Sequence, residues 1–519
     1  MEYLTEKPVQ HMKIHELTYE DYPKEPVLLE DLPLRFMKEA RFVPIGLKDN
    51  LLQVAMADPD DIYTIDALRL AYGVKVEVFK GNEDDIFSAI ERLYGVGSQS
   101  LEMIIEEAGK DIYELSPEAE EDVDHLRDLA SEAPIIRLVN RLIINAVDLR
   151  ASDIHFEPFE DEFKVRYRID GVLHEVESPP KRLCPAVTSR IKIMAKLDIA
   201  ERRLPQDGRI KMRVADKEID FRVSTIPTAF GESVVMRILD RGTLILDLEK
   251  LGLSDEMLAQ YLRLISQPYG MILVCGPTGS GKTTTLYTTL LRLNSPEKKI
   301  ITLEDPIEYQ LKGVNQIQVN PKTGLTFANG LRSIVRQDPD IILVGEIRDL
   351  ETAEIAVQSA LTGHLLFSTL HTNDSVGAIA RLLDMGVENF LLNSTLLGVL
   401  SQRLVRVICP HCKKEVRPDT RQLASMELSP EDCKEIVFYE GGGCELCRGT
   451  GYSGRIGIFE YLPIDDEMRD LIGKKASSET IRQAARNRGF TTLRENGWQK
   501  VKQGITTISE VLRVTLEEE

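Results

Sequence analysis

The spacing of apolar positions divides the chain into regions of different periodicity. Leu51-Leu52-Gln53-Val54-Ala55-Met56 reads as a short apolar strand, broken by Asp58-Pro59-Asp60 before a helix over residues 64–70. A second strand over residues 74–79 and a helix ending near Tyr94 complete a small α/β unit, residues 1–95, that carries no catalytic constellation. Residues 96–132 are acidic, with Glu118, Glu120, Glu121, Asp122 and Asp124 close together. That composition suits a mobile linker holding one short helix, and equally a solvated helix face.

From Ala133 the period is helical, with Ile135, Leu138, Val139, Leu142, Ile143 and Ala146 on one face. Phe163, Val165, Tyr167 and Ile169 then alternate with Lys164, Arg166 and Arg168, and Asp170-Gly171 signals a hairpin. Alternation returns over residues 221–226 and 234–239, so residues 133–243 read as an α+β domain with a half-exposed antiparallel sheet. Over residues 244–402, apolar strand-like runs alternate with helical stretches, the pattern of a parallel sheet covered by helices. Residues 403–452 hold two cysteine pairs, and residues 453–519 read as a helical region in which Ile481, Ala484 and Ala485 recur at helical spacing.

The first strand-like run to carry chemistry is Met271-Ile272-Leu273-Val274-Cys275, which leads directly into Gly276-Pro277-Thr278-Gly279-Ser280-Gly281-Lys282-Thr283, followed by Thr284. This is a complete GxxxxGK[ST] match between a buried strand and a helix. The glycines let backbone N–H groups turn toward phosphate, the helix offers its positive N-terminus, Lys282 reaches the β- and γ-phosphates and Thr283 supplies a hydroxyl to Mg²⁺. No Asn-Lys-x-Asp motif occurs, which favours ATP over GTP. In an open α/β sheet, ligands sit at the C-terminal strand ends. Glu304 and Asp305 stand before Pro306 at one such end, Glu346 at another and His371 at a third. Hydrolysis needs one carboxylate on water and others around the metal, so Glu346 is expected on the water and His371 near the γ-phosphate, with the metal held either through water by Glu346 or by the carboxylates of the Glu304-Asp305 strand end. The bland alternatives are helix caps, or a Glu346–Arg348 pair. His364 lies roughly 23 Å from His371 along a strand, which suits a structural role.

The formal charge of −20 disfavours nucleic acid as a partner. No apolar run reaches about 18 residues, and Met1 to Lys13 lacks signal-peptide regions, so a cytoplasmic location with no direct membrane insertion is expected. Four of the seven cysteines form Cys409-Pro410-His411-Cys412 and Cys444-Glu445-Leu446-Cys447, a knuckle spacing that points to tetrahedral Zn²⁺ rather than to a thiol switch. Cys184, Cys275 and Cys433 read as small core hydrophobes.

On these residues the chain resembles the secretion ATPases of the type II secretion and type IV pilus assembly group. The resemblance is carried by Ala151-Ser152-Asp153-Ile154-His155-Phe156-Glu157-Pro158, Leu204-Pro205-Gln206-Asp207-Gly208-Arg209, Arg222-Val223-Ser224-Thr225, Glu304-Asp305-Pro306-Ile307-Glu308-Tyr309, residues 338–349, and Thr362-Gly363-His364 through His371-Thr372-Asn373. It implies a RecA-like P-loop core behind a PAS-like α+β domain, with ATP, Mg²⁺ and Zn²⁺ as ligands. It also implies a homo-hexamer in which Arg209, Arg222 and Arg237 serve the phosphates, and a role in type II protein secretion by pseudopilus assembly. Pilus extension is the alternative, with a P-loop kinase and a non-hydrolysing zinc scaffold further off. The implied partners are inner-membrane platform proteins: a polytopic one, and the cytoplasmic domain of a bitopic one that residues 1–95 would bind. Gly345 departs from general Walker B chemistry, where an aspartate holds the metal.

Overall fold

The structure is a computed structural model. It describes residues 40–48, 51–94, 123–214, 217–240, 247–417, 420–426 and 436–515, with isolated positions between 22 and 37 and at 105, 428 and 433. The chain divides into two compact units, residues 1–239 and 240–519.

The first unit contains a three-stranded sheet, β1 (Phe42–Lys48), β2 (Leu51–Met56) and β3 (Lys75–Lys80). Helices α1 (Ile62–Tyr72) and α2 (Glu83–Tyr94) follow β2 and β3. Asp61 caps α1 by accepting from Thr64 N–H, and Gly73 closes it at φ 64°. The expected elements are present; β1 is an additional strand, antiparallel to β2.

Most of residues 96–122 lie outside the described residues. Helix α3 (Val123–Ser131) then forms within the acidic stretch, with Leu126, Leu129 and Ala130 buried. Helix α4 (Ala133–Asp148) buries the six residues its periodicity assigns to the core. A six-stranded antiparallel sheet runs in the order β6-β5-β4-β9-β8-β7. Its strands are β4 (Asp153–Pro158), β5 (Phe163–Ile169), β6 (Val172–Val176), β7 (Gln206–Val214), β8 (Lys217–Thr228) and β9 (Gly231–Asp240). Asp170 and Gly171 form the β5–β6 turn with positive φ at both. Helix α5 (Cys184–Ala195) packs on the sheet's apolar face, where Phe156, Val165, Phe221, Val223, Val234 and Met236 are buried. The arginines alternate with these residues and lie on the other face.

The second unit is built on a seven-stranded sheet of order β12-β11-β13-β14-β10-β15-β18. The strands are β10 (Gly270–Cys275), β11 (Ile300–Glu304), β12 (Asn315–Gln318), β13 (Ile341–Val344), β14 (Leu365–Leu370), β15 (Leu396–Ile408) and β18 (Tyr452–Pro463), numbered in chain order around a small β16–β17 ribbon. All pairings are parallel except β15–β18. Met271, Leu273 and Cys275 belong to one core cluster, and Ile272 and Val274 to another, so β10 is packed on both faces as a central parallel strand must be. Helix α6 (Asp255–Ile265) precedes β10. The helices α7 (Lys282–Leu293), α8 (Phe327–Ile334), α9 (Leu350–Leu361), α10 (Ser375–Asp384) and α11 (Asn389–Thr395) connect the strands.

Here the observed organisation differs from the expected boundaries. Residue 402 was the expected end of the motor domain, yet it lies inside β15, and β18 opens the region expected to be helical by returning antiparallel to β15. The cysteine segment, with ribbon strands β16 (Lys413–Val416) and β17 (Phe438–Gly441), is therefore an insertion between two strands of one sheet. Helices α13 (Asp466–Gly473), α14 (Ser478–Arg486), α15 (Leu493–Lys502) and α16 (Ile508–Thr515) finish the unit, and a short α12 (Thr420–Ser425) lies within the insertion. Ile481 and Ala485 of α14 join the main core.

Candidate active site

Because β10 lies between β14 and β15, the loop leaving it is flanked by strand ends on both sides. Gly276 and Gly281 adopt φ of 145° and 91°, and a Cβ on either would meet Gln402: its carbonyl oxygen at 2.6 Å from Gly276, its amide Nε2 at 3.0 Å from Gly281. Only glycine allows that approach. Lys282 opens α7 and its Nζ donates back to the carbonyls of Gly276 at 2.7 Å and Pro277 at 3.0 Å. Burial lowers its pKa, with Cys275 and Glu346 pulling in the opposite direction. Pro277, Thr278, Gly279 and Thr283 are exposed, and Thr284 is half-buried. Ser280 is buried, and its Oγ has no hydrogen-bond partner among the described residues. A loop of turned glycines with a folded-back lysine and an unpartnered buried hydroxyl fits a nucleotide phosphate.

Glu346 follows β13, a short step from the loop. Its carboxylate accepts from Arg348 and lies 3.3 Å from His371 Nε2. The Arg348 pair is thus present together with the proximity to His371 and Lys282 that chemistry would require. Gly345 N–H donates to the Leu303 carbonyl at 2.7 Å, and a Cβ at this position would come within 3.2 Å of that oxygen and 3.4 Å of Glu304 Cα. An aspartate would crowd this site, which gives a steric reason for the glycine.

Glu304, the last residue of β11, is buried. It accepts from the hydroxyls of Tyr287 and Thr302 and from Gln316 Nε2 at 3.1 Å, so both its oxygens have partners, whereas Asp305 is exposed. His364 sits at the opposite end of β14 from His371, its Nδ1 2.9 Å from the Ser359 carbonyl. Sequence reasoning missed Tyr287, Gln316 and Gln402. Tyr287 stands among ordinary residues of the α7 core face, and nothing local marks any of the three.

The arginines belong to the first unit. Arg209 and Arg222 are cross-strand partners on β7 and β8, and Arg237 on β9 donates to Asp153 Oδ1 at 3.0 Å. Cys409, Cys412, Cys444 and Cys447 bring four Sγ atoms within 4.8 Å of one another, with Cys409–Cys444 at 3.9 Å and Cys412–Cys447 at 3.7 Å. Thiolates about 2.3 Å from a tetrahedral ion stand about 3.8 Å apart, so these spacings fit a zinc site. The N–H groups of Cys444 and Gly451 point at Cys447 Sγ, at 3.1 and 3.3 Å. Cys184, Cys275 and Cys433 are buried thiols, and burial pushes Cys275 up to about 12.

A phosphate loop at the centre of a parallel sheet, with a carboxylate and a histidine at neighbouring strand tips, defines a P-loop ATPase with a RecA-like core. Residues 128–513 match the family described as Type II/IV secretion system protein, and residues 12–100 match the MshEN domain. The chain belongs to that secretion-system family. It is 54% identical over 487 residues to Type II secretion system protein E of Xanthomonas campestris pv. campestris, covering 94% of this chain and 85% of the relative. It is 47% identical over 498 residues to the type IV pilus assembly ATPase PilB of Myxococcus xanthus, covering 96% and 88%. Among solved structures, the pilus retraction motor PilT with bound ADP is similar at 28% identity and a TM-score of 0.51, covering 73% of this chain and 96% of that one.

Proposed function

We propose that this protein hydrolyses Mg²⁺-ATP to power type II protein secretion by pseudopilus assembly, as a hexamer held at the inner membrane through partner proteins. The observation that carries this reading is the similarity to a Type II secretion system protein E along 94% of the chain. Lys282 exchanges the Gly276 and Pro277 carbonyls for phosphate oxygens, and the loop N–H groups complete the cradle. The Thr283 hydroxyl would hold Mg²⁺, which would supply charge neutralisation of the phosphates. Glu346 takes or orients the proton of the attacking water, while His371 beside it senses the γ-phosphate. Glu304, fixed by Tyr287, Thr302 and Gln316, would order water around that metal. Arg209, Arg222 and Arg237 stabilise transition-state charge in the assembled ring; like charges directly opposite on β7 and β8 are costly alone, which suits an anion as their partner. The four cysteine thiolates would hold Zn²⁺ and fill its tetrahedral positions, which suits a structural rather than a catalytic metal.

The 47% identity to PilB supports pilus extension as the second reading. The test measures phosphate release and oligomeric state together, with and without ATP, for wild type and Lys282→Ala. Free phosphate from a wild-type hexamer, and none from a variant of unchanged melting temperature, is the expected result. A phosphorylated acceptor in place of free phosphate would overturn it in favour of a kinase. In cells lacking the protein, restored exoprotein secretion supports the first reading, and restored pili without secretion the second.

A further inference from the structure

One buried side chain outside the phosphate loop touches it at two points. Strand β15 runs parallel to β10 with Ser401 beside Cys275, which sets the next residue, Gln402, against the start of the loop. Gln402 is 1% exposed. Its Nε2 donates to the Ser280 carbonyl at 2.7 Å, and its Oε1 accepts from the Thr285 hydroxyl in the first turn of α7 at 2.8 Å. An amide satisfies both contacts, because it offers a donor and an acceptor on adjacent atoms. Its backbone carbonyl occupies the space that a Cβ on Gly276 would fill.

We propose that Gln402 is a positioning residue for ATP, which sets the Ser280–Gly281 peptide plane of the phosphate loop. A trans peptide is planar, with its C=O and N–H pointing in opposite directions. Holding the Ser280 carbonyl against β15 therefore turns the Gly281 N–H away from β15. The tie to Thr285 fixes the amide's own rotation, so that plane is held from the helix as well as from the strand. With φ of 91°, Gly281 has no side chain to resist rotation of that plane. The restraint comes from Gln402. Gln402→Glu removes the donor and sets a charge against a carbonyl oxygen, while Gln402→Met keeps the volume and loses both bonds.

This inference rests on reading the loop as an ATP site. The test is steady-state hydrolysis against ATP concentration in the full chain, for wild type, Gln402→Met, Gln402→Glu and Thr285→Val, with melting temperatures taken without nucleotide. Leaving a buried carbonyl unpaired corresponds to a loss of about tenfold. KM for ATP should rise by about that factor in Gln402→Met, further in Gln402→Glu and less in Thr285→Val, with kcat lowered less than KM is raised. A purely structural role would lower the melting temperature and the active fraction with KM unchanged. A KM within twofold of wild type in the folded variants overturns the proposal, and Thr285→Val decides it if neither Gln402 variant folds. Absence of turnover in wild type would instead sink the ATPase reading itself.

Discussion

Glu346 is the residue at which several charges compete. Arg348 binds it from the same loop, His371 Nε2 stands 3.3 Å away, and Lys282 is close enough to feel its charge. Its carboxylate thus stands near the phosphate loop between a guanidinium and an imidazole, which suits a group that receives a proton from water. Glu346→Gln keeps the shape and loses the charge, so nucleotide binding should persist while hydrolysis falls by about 10²–10⁴-fold. Equal turnover in wild type and variant would remove Glu346 from the chemistry. A buried carboxylate behaves differently. Glu460 on β18 accepts from Ser375 N–H at 2.8 Å and from its hydroxyl, and burial raises its pKa, with Asp374 acting in the same direction. For a carboxyl raised in the folded state, stability is fully present below the unfolded value of about 4.3 and is lost as pH rises through the folded value. Glu460→Gln retains the acceptor without the charge. Its melting midpoint should lie about 2–4 °C above wild type at pH 8 and match it near pH 4, as calorimetry can check. These residues also mark how far the sequence could be read. The loop Gly276–Thr283 was legible because all its chemistry is contiguous. Tyr287 and Gln402 were silent because their partners lie 17 and 122 residues away, and only the folded sheet brings them together.

Among the elements, periodicity identified those with one buried face. Helix α4 shows its six core residues at helical spacing, and the β5–β6 hairpin shows strict alternation around Asp170-Gly171. Strand β15 was harder to read. Its first half is buried on both sides and its second half only partly, so it has no single period, and it crosses the expected domain boundary. Strand β18 was hidden because the cysteine insertion separates it from its partner β15 by tens of residues of sequence. The consequence is mechanical. Ile408 ends β15 and Cys409 follows it, while Gly451, whose carbonyl accepts from Cys409 N–H at 2.9 Å, leads into β18. The four thiols therefore close the base of the insertion where it leaves the sheet. A metal bound there stabilises the closed form by linkage. Cys412→Ser should release zinc and lower the thermal midpoint, while nucleotide binding at the loop between β10 and α7 survives. Elemental analysis with parallel melting curves checks this, and a zinc-free wild-type protein of full stability would eliminate the site.

On the scale of the whole molecule, no helix among the described residues is long and apolar enough to cross a membrane. The proposed function, a motor working with membrane-bound partners, calls for a recruiting surface. Residues 1–95 are the proposed one, since their small sheet holds no catalytic constellation and α1 leaves Tyr63 91% and Leu70 85% exposed, on the same helical stripe. The cut must spare the rest of the first unit. Ile105 packs against the core that includes Leu129 of α3, so a deletion ending at residue 95 removes neither, whereas one extended to residue 131 would strip both from that core. The truncated protein should therefore fold, hydrolyse ATP at a measurable rate and appear in the soluble fraction of cells in which the full chain pellets with membranes. If it pellets as the full chain does, recruitment belongs to another part of the protein. The cysteine insertion, with Leu446 71% exposed between two of its thiols, would then be the next segment to delete.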